Sequence, residues 1–435
     1  MTQTDLFKRG LEQLKAGNYD EARKLFRENE DKAGTSAATQ GLLQNADAKL
    51  AAGDISAASK LYEQVLDRNP SLPETYLGLT RIALFTGQLD EAKVHATAAT
   101  RLAPKQGLAW TLMGLVHESR EDVAGALEHL RKGVELSPNV FLCQFNYGRV
   151  LASAGRFQEA IMALSTATGL EPKNPDGFYT LGIAYKEAGQ YEKALKAFEK
   201  AKDLNPKSVD AWATLADVLF SVKEFKAARD MLDLGLKAVG DHPALLEKAT
   251  ACCMMLGDAD AAIEYVEREL KVVPDHAQAW LNLAALRLLT KEFDKSEAAA
   301  KTLLQKDPKN WEAWFHLGNL YEAVPAEKEA EEAYQKAAAL SKDNWKVQMN
   351  LGALLVQSED KAKNAEAVTI LEKALALAPK GEWRPTYNLA LAYVRVGKQD
   401  KALELAKKIQ EEAPADDPMV AEAKKLESNL KEAKA

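Results

Sequence analysis

Prolines recur at positions 70, 104, 138, 172 and 206, each 34 residues from the last, and the series resumes at 274 and 308 before two displaced rungs at 379 and 414. A fixed internal period overrides the usual division of 435 residues into two or three globular domains. Alanine forms a second ladder at 22, 58, 92, 126, 160, 194, 228, 262, 330, 367 and 402, with Ser296 filling its gap. A third ladder is glycine at 17, 53, 87, 155, 189, 257 and 397, five residues before the small residue. Proline stops a helix, glycine permits the turn into the next, and a small side chain recurs where two helices approach closely.

Each period therefore predicts two amphipathic helices. The stretch from Ala211 to Val239 has apolar residues at three- and four-residue steps on both sides of its midpoint. Within one period, Phe178, Leu181, Gly182, Tyr185, Gly189, Tyr191, Ala194, Phe198, Ala201 and Pro206 occupy nearly every position of the W-x-x-L-G-x-x-Y…A…F…A…P signature. On these residues the chain resembles the tetratricopeptide-repeat family over essentially its whole length. Unit starts fall near residues 3, 39, 73, 107, 141, 175, 209, 243, 277, 311, 345 and 383. The expected architecture is all-α: a right-handed superhelical solenoid of about twelve 34-residue helix–turn–helix repeats plus a capping helix. The first unit (1–38) is polar, with Arg9 and Gln13 where later units carry leucine or tyrosine, and reads as an N-terminal cap. Units two to seven fill 39–242, units eight to twelve fill 243–416, and residues 417–435 read as a C-terminal capping helix with Val420, Ala423, Leu426 and Leu430 on one side.

Trp110, Trp212, Trp280 and Trp314 are expected as buried plugs on the first helix of their units, while Gly114, Gly148, Gly182, Gly318 and Gly352 let the paired helix approach closely. Departures from the period bear on shape. Lys223 replaces the turn glycine of the seventh unit and Gly240 its final proline, which predicts a bend between Val239 and Pro243. Pro325 and the three extra residues within 358–364 predict longer exposed loops, and two residues are inserted near 34–38.

Composition excludes several classes. Hydrophobic residues make up 47% and charged residues 28%, and no apolar run is long enough to span a bilayer. The N-terminal segment lacks a secretory pattern, so the cytoplasm is the expected compartment. Acids outnumber bases 64 to 57 and the bases are dispersed, which argues against a nucleic-acid partner. Cys143, Cys252 and Cys253 have neither disulfide nor zinc spacing and read as small core residues, and the six histidines show no metal-ligand pattern. No nucleophile–base set or phosphate-cradling loop emerges, so neither catalysis nor a cofactor is expected.

The resemblance implies that the first helix of each pair lines a concave groove. One groove stretch would contain Leu77, Leu84, Phe85, Leu108, Leu115, Leu142 and Phe145, with Arg81, Asn146 and Arg149 among them. A second would contain Met254, Met255, Leu281, Leu288, Leu289, Phe315, Met349, Val356 and Tyr387, and a mixed, net acidic segment around Tyr179 would separate the two. These apolar residues either pack against their own partner helix or dock an amphipathic or extended segment of another protein. In the family, some members clamp twin carboxylates. Asn319, Asn350 and Arg384 match three of the five clamp positions, while Phe315 and Asn388 stand where cations are needed, which argues against a clamp. Asn146, Asn282, Asn350 and Asn388 form an interrupted ladder similar to one that grips a peptide backbone in the family. The expected function is a scaffold or adaptor for protein segments. Self-assembly and the sheltering of apolar client segments are the alternatives.

Overall fold

The computed structural model describes residues 37–432 together with residues 9, 10, 12, 13, 21, 24 and 25. The polar first repeat, Ala22, Gly17 and the 34–38 insertion therefore lie largely or wholly outside the described residues. The chain forms two compact units, residues 1–222 and 223–435. In the first, the helices are α1 (Ala37–Ala51), α2 (Ile55–Arg68), α3 (Pro73–Phe85), α4 (Leu89–Leu102), α5 (Gly107–Ser119), α6 (Val123–Leu136), α7 (Phe141–Ser153), α8 (Phe157–Leu170), α9 (Pro175–Glu187), α10 (Tyr191–Leu204) and α11 (Val209–Ser221). In the second they are α12 (Phe225–Val239), α13 (Pro243–Leu256), α14 (Ala259–Val272), α15 (Ala277–Leu289), α16 (Phe293–Lys306), α17 (Trp311–Ala323), α18 (Glu327–Leu340), α19 (Trp345–Gln357), α20 (Lys361–Leu377), α21 (Arg384–Arg395), α22 (Gln399–Glu412) and α23 (Pro418–Glu432). Among the described residues there is no strand.

The small-residue ladder explains how the pairs close. Ala58, Ala92, Ala126, Ala160, Ala194, Ala228, Ala262, Ser296, Ala330, Ala367 and Ala402 are all fully buried. A large side chain on the second helix then lies against a glycine on the first. A Cβ placed on Gly182 would stand 2.7 Å from the Phe198 ring, and one on Gly148 or Gly114 would stand 2.6 Å from Leu164 or Leu130. No real side chain tolerates such contacts without movement, so glycine here is a packing requirement.

Most turns within a pair are three residues long with a left-handed middle residue, as at Gly87 (φ 74°), where the Gln88 amide donates to the Ala83 carbonyl at 2.8 Å. Glu121, Lys223 and Lys291 hold the same turn at φ 63°, 65° and 62° without being glycine. A left-handed non-glycine residue costs about 1–2 kcal/mol, and glycine's extra unfolded-state entropy returns about 0.5–1 of that. Lys291→Gly is therefore expected to stabilise the second unit by about 0.5–1 kcal/mol in urea unfolding, whereas Lys291→Ala should give no gain.

Three expectations need correction. The turn at Pro325 is no longer than its neighbours, spanning residues 324–326. The residues inserted within 358–364 do not lengthen a loop either, because they extend α20 to 17 residues where most second helices have 14. Adding turns to a helix satisfies the extra backbone groups internally, which an exposed loop would leave to water. Thirdly, Trp212 is buried at 6% exposure, but Trp110, Trp280 and Trp314 are only half-buried. Each of the four donates its indole N–H to the carbonyl of the proline six residues earlier, at 2.9–3.1 Å. Tyr76 and Gln144 reach the Pro70 and Pro138 carbonyls in the same way. The aromatic ladder thus straps the start of each repeat to the proline before it.

At Gly240 (φ 88°, ψ −178°) the chain passes from α12 into α13, and the two helices pack on each other within the second unit. α23 lies against α22 and buries Val420, Ala423, Leu426 and Leu430. The three cysteines are free and buried.

Candidate ligand-binding surface

First helices stack on first helices within each unit: α1 on α3, α3 on α5 and α5 on α7 in one, α15 on α17, α19 on α21 and α21 on α23 in the other. Their outward positions therefore form a row on one face.

In the first unit the row is mostly engaged internally. Leu77 is only 3% exposed and belongs to the core rather than to a free surface. Leu84 and Leu115 are half-buried, while Phe85 stands 76% exposed. Phe145 stacks on Phe141 with centroids 5.2 Å apart. Arg149 is held by Glu118 through two bonds of 2.8 and 2.6 Å, tying α7 to α5. The Arg81 guanidinium lies 3.8 Å from Asp47, whose carboxylate also accepts from the Tyr62 hydroxyl at 2.5 Å. The Asn146 amide donates back to the Leu142 carbonyl at 2.8 Å, and the Tyr179 hydroxyl meets Thr214 at 3.2 Å.

In the second unit the row opens into a cleft of about 370 Å³, walled by α15, α17 and the start of α19. Leu281, Ala285, Trp311 and Phe315 supply its apolar wall, and Gln278, Asn282, Glu312, Asn319, Asn344 and Lys346 its polar one. The amides are oriented by neighbours. The Tyr334 hydroxyl donates to the Glu322 carboxylate and lies 2.7 Å from the Asn319 side-chain oxygen, which accepts from the Asn350 amide at 3.0 Å. Burial, then the Glu322 carboxylate, pushes the Tyr334 phenol well above its usual range, so it stays a donor. The Asn282 oxygen accepts from Gln278 at 3.0 Å. His316 sits at the cleft's edge, 9% exposed, with its Nε2 3.0 Å from Ser296, whose hydroxyl donates to the Ala284 carbonyl. Burial lowers its pKa and favours the neutral ring.

The remaining expected residues lie outside this cleft. Arg384 is paired with Glu382 at 2.8 Å, and that bond lowers the Glu382 carboxyl's pKa and raises the arginine's. Asn388 is half-buried on α21, Leu288 half-buried on α15, and Met349 and Val356 are core. Met254, Met255 and Leu289, at 52%, 56% and 70% exposure, stand at the C-terminal ends of α13 and α15. A larger recess of about 690 Å³ between the 378–383 loop and the ends of α20 and α22 mixes Lys380 and Lys408 with Glu382 and Glu412.

Sequence reasoning missed Tyr334, Asn344 and Lys346. Tyr334 lies on a second helix, outside the groove register. Its position opposite Gly318, the same relation as Phe198 to Gly182, was the signal that would have placed it beside the row.

Among the described residues no helix is long and apolar enough to cross a membrane, and no group of three or more His, Cys, Asp or Glu side chains is arranged to hold a metal. A family model described as "Tetratricopeptide repeat" matches residues 49–116, 151–202, 185–251 and 254–320, more than half of the chain. Another, "Cytochrome c-type biogenesis protein H TPR domain", matches 290–420. Among curated proteins, the chain is 35% identical over 100 residues to the heat-shock protein cognate co-chaperone sgt12 of Aspergillus fumigatus, covering 22% of this chain and 29% of that protein. It is 24% identical over 112 residues to anaphase-promoting complex subunit 3 of Schizosaccharomyces pombe, covering 26% and 17%. The match thus spans less than a third of either relative. Among solved structures, a tetratricopeptide repeat protein from Parabacteroides merdae aligns with TM-score 0.45 and 15% identity over 59% of this chain and 99% of that one. Yeast Tom70 aligns with TM-score 0.43 and 14% identity over 93% and 97%.

Proposed function

The chain belongs to the tetratricopeptide-repeat family, and on that premise we propose that it is a non-catalytic scaffold that holds a segment of a partner protein on the first-helix face of its second unit. The repeat fold is in general a protein–protein interaction scaffold. The observation that carries the reading is the cleft on α15, α17 and α19: Leu281 and Phe315 are left half-buried beside hydrogen-bond donors, where a core would have closed over them. Burying a phenylalanine or leucine contributes about 1.5–3 kcal/mol, so a few such anchors reach micromolar affinity net of association costs.

The test is affinity capture with the wild type beside a Phe315→Asp variant, each checked for helicity. Partners held on this face are expected to fall by more than tenfold in the variant. An unchanged set of captured proteins would refute the proposal.

A second reading, the sheltering of apolar client segments, is favoured by the exposed Met254, Met255 and Leu289, since methionine repacks around differing ligands. The resemblance of residues 290–420 to a cytochrome c-type biogenesis domain and of a shorter stretch to a co-chaperone agrees with it. It predicts micromolar binding of many unrelated apolar peptides, where the scaffold reading predicts few.

A further inference from the structure

We propose that the recess between the 378–383 loop, the start of α21 and the ends of α20 and α22 binds a small aromatic carboxylate, which occupies the place of a ring that this repeat lacks.

The fourth residue of each repeat closes the junction before it. Tyr76, Trp110, Gln144, Trp212, Trp280 and Trp314 stand there and donate to the carbonyl of the proline six residues earlier. Phe178, Leu246 and Gln348 fill the same position with bulk. In the last repeat, Leu389, Tyr393 and Ala402 set the register, and the fourth residue is Thr386. The residue six after Pro379 is Pro385, which offers no side-chain donor. So short a side chain leaves the volume of the missing ring open. The recess of about 690 Å³ that Thr386 lines falls within the range of roughly 300–1,000 Å³ usual for small-ligand sites.

Two polar groups of the lining are left without partners. Thr386 is only 3% exposed, and its hydroxyl makes no hydrogen bond among the described residues. Trp383 walls the recess, and its indole N–H is buried with nothing to donate to. Buried polar groups are paired in nearly all folded proteins, so two orphans beside one recess point to an occupant. Both can donate, and their complement is an acceptor.

Charge narrows the choice. Glu382 is held by Arg384, and Lys408 and Glu412 offset each other one turn apart on α22. That leaves the Lys380 ammonium uncompensated, since it makes no ion pair among the described residues. No side chain caps α21, so its first turn, which carries Thr386, also favours negative charge. One positive charge and neutral donors match a monoanion. The Trp383 ring, Leu375, Pro379 and Pro414 supply apolar walls for its body. A carboxylate carried on one or two fused aromatic rings has both parts. An Asp or Glu side chain would bring the carboxylate without the body.

The experiment titrates the full chain with naphthylacetate and with naphthylacetamide, the neutral amide of the same body, by calorimetry and by the indole N–H resonances. Hydrogen bonds to a charged group are about twice as strong as neutral ones, so the acid is expected to bind at least about tenfold more tightly than the amide. It should also shift the Trp383 resonance, identified by its loss in Trp383→Phe. Thr386→Trp returns the large side chain of the other repeats and should abolish binding. Thr386→Val removes only the hydroxyl and should weaken acid binding severalfold. Because that hydroxyl bonds to nothing in the chain, thermal stability should not fall in Thr386→Val. Lys380→Gln should remove most of the preference for the acid. Phe315→Asp, outside the lining, should leave binding unchanged, so this site and the first-helix face succeed or fail separately. Equal binding of acid and amide, no binding at about 1 mM probe, or unchanged binding in both Thr386→Trp and Thr386→Val overturns the proposal.

Discussion

Phe198→Ala is expected to destabilise the first unit by about 3–5 kcal/mol, the range for deleting a fully buried aromatic ring. Phe198 is 0% exposed and its ring fills the space that a side chain at Gly182 would occupy. The reciprocal change, Gly182→Ala, should cost about 1–3 kcal/mol through overpacking, because the ring is clamped between α9 and α10 and cannot retreat freely. The informative measurement is the double variant in urea unfolding. If glycine and ring are complementary halves of one contact, the alanine methyl enters the cavity left by the ring, and the double variant is less destabilised than the sum by about 1 kcal/mol or more. Strict additivity would mean that the glycine is retained for some reason other than this packing.

That contact also shows why so much of the fold was legible. Gly182 and Phe198 both sit on 34-residue ladders, as do Ala194 and Pro206, and a period repeated eleven or twelve times averages away the local ambiguity that blurs any single helix boundary. Helices begin at Pro73, Gly107, Phe141, Pro175, Val209, Pro243, Ala277, Trp311 and Trp345, where the ladders put them. The misread places were those where one unit departs from the pattern. An inserted triplet near residue 360 can lengthen a loop or a helix, and composition alone does not decide which. Here Asp360 caps α20 by accepting from the Ala362 amide, which starts the helix early enough to absorb the insertion. The indole straps were hidden because a tryptophan at a ladder position reads as apolar bulk, and its N–H partner is a backbone carbonyl that carries no side-chain signature.

The candidate surface was less legible, for a physical reason. Position within the repeat marks the face a residue is on but not what it is already bonded to. Arg149 and Arg384 stand in the expected row, yet Glu118 and Glu382 occupy them, and those acids lie at positions that differ from unit to unit. Asn319 stands in the same row, but its amide is already engaged by Asn350 of the next first helix and lies against Tyr334 of the partner helix. Such second partners break the period, so ladders do not reveal them.

Deleting residues 414–435 is expected to lower the stability of the second unit by several kcal/mol and to make the protein self-associate. α23 contributes Val420, Leu426 and Leu430 to the core, each worth about 1.5–3 kcal/mol when buried, offset in part by the entropy of ordering 15 residues. Without it, the face of α22 that carries Ala402, Ala406 and Ile409, all at 0% exposure, would lose cover. A repeat array is stabilised by neighbour-on-neighbour contacts, and an end without a polar cap is an open apolar surface. Thermal unfolding should show the second unit melting earlier, and light scattering should show mass rising with concentration. Lys424→Glu on the exposed side of α23 is the control and should leave both unchanged, since it alters the cap's charge without touching the buried Val420, Ala423, Leu426 and Leu430 row. A deletion variant that melts with the wild type and stays monomeric would show that α22 is a sufficient end on its own, and that the apolar row on α23 closes nothing.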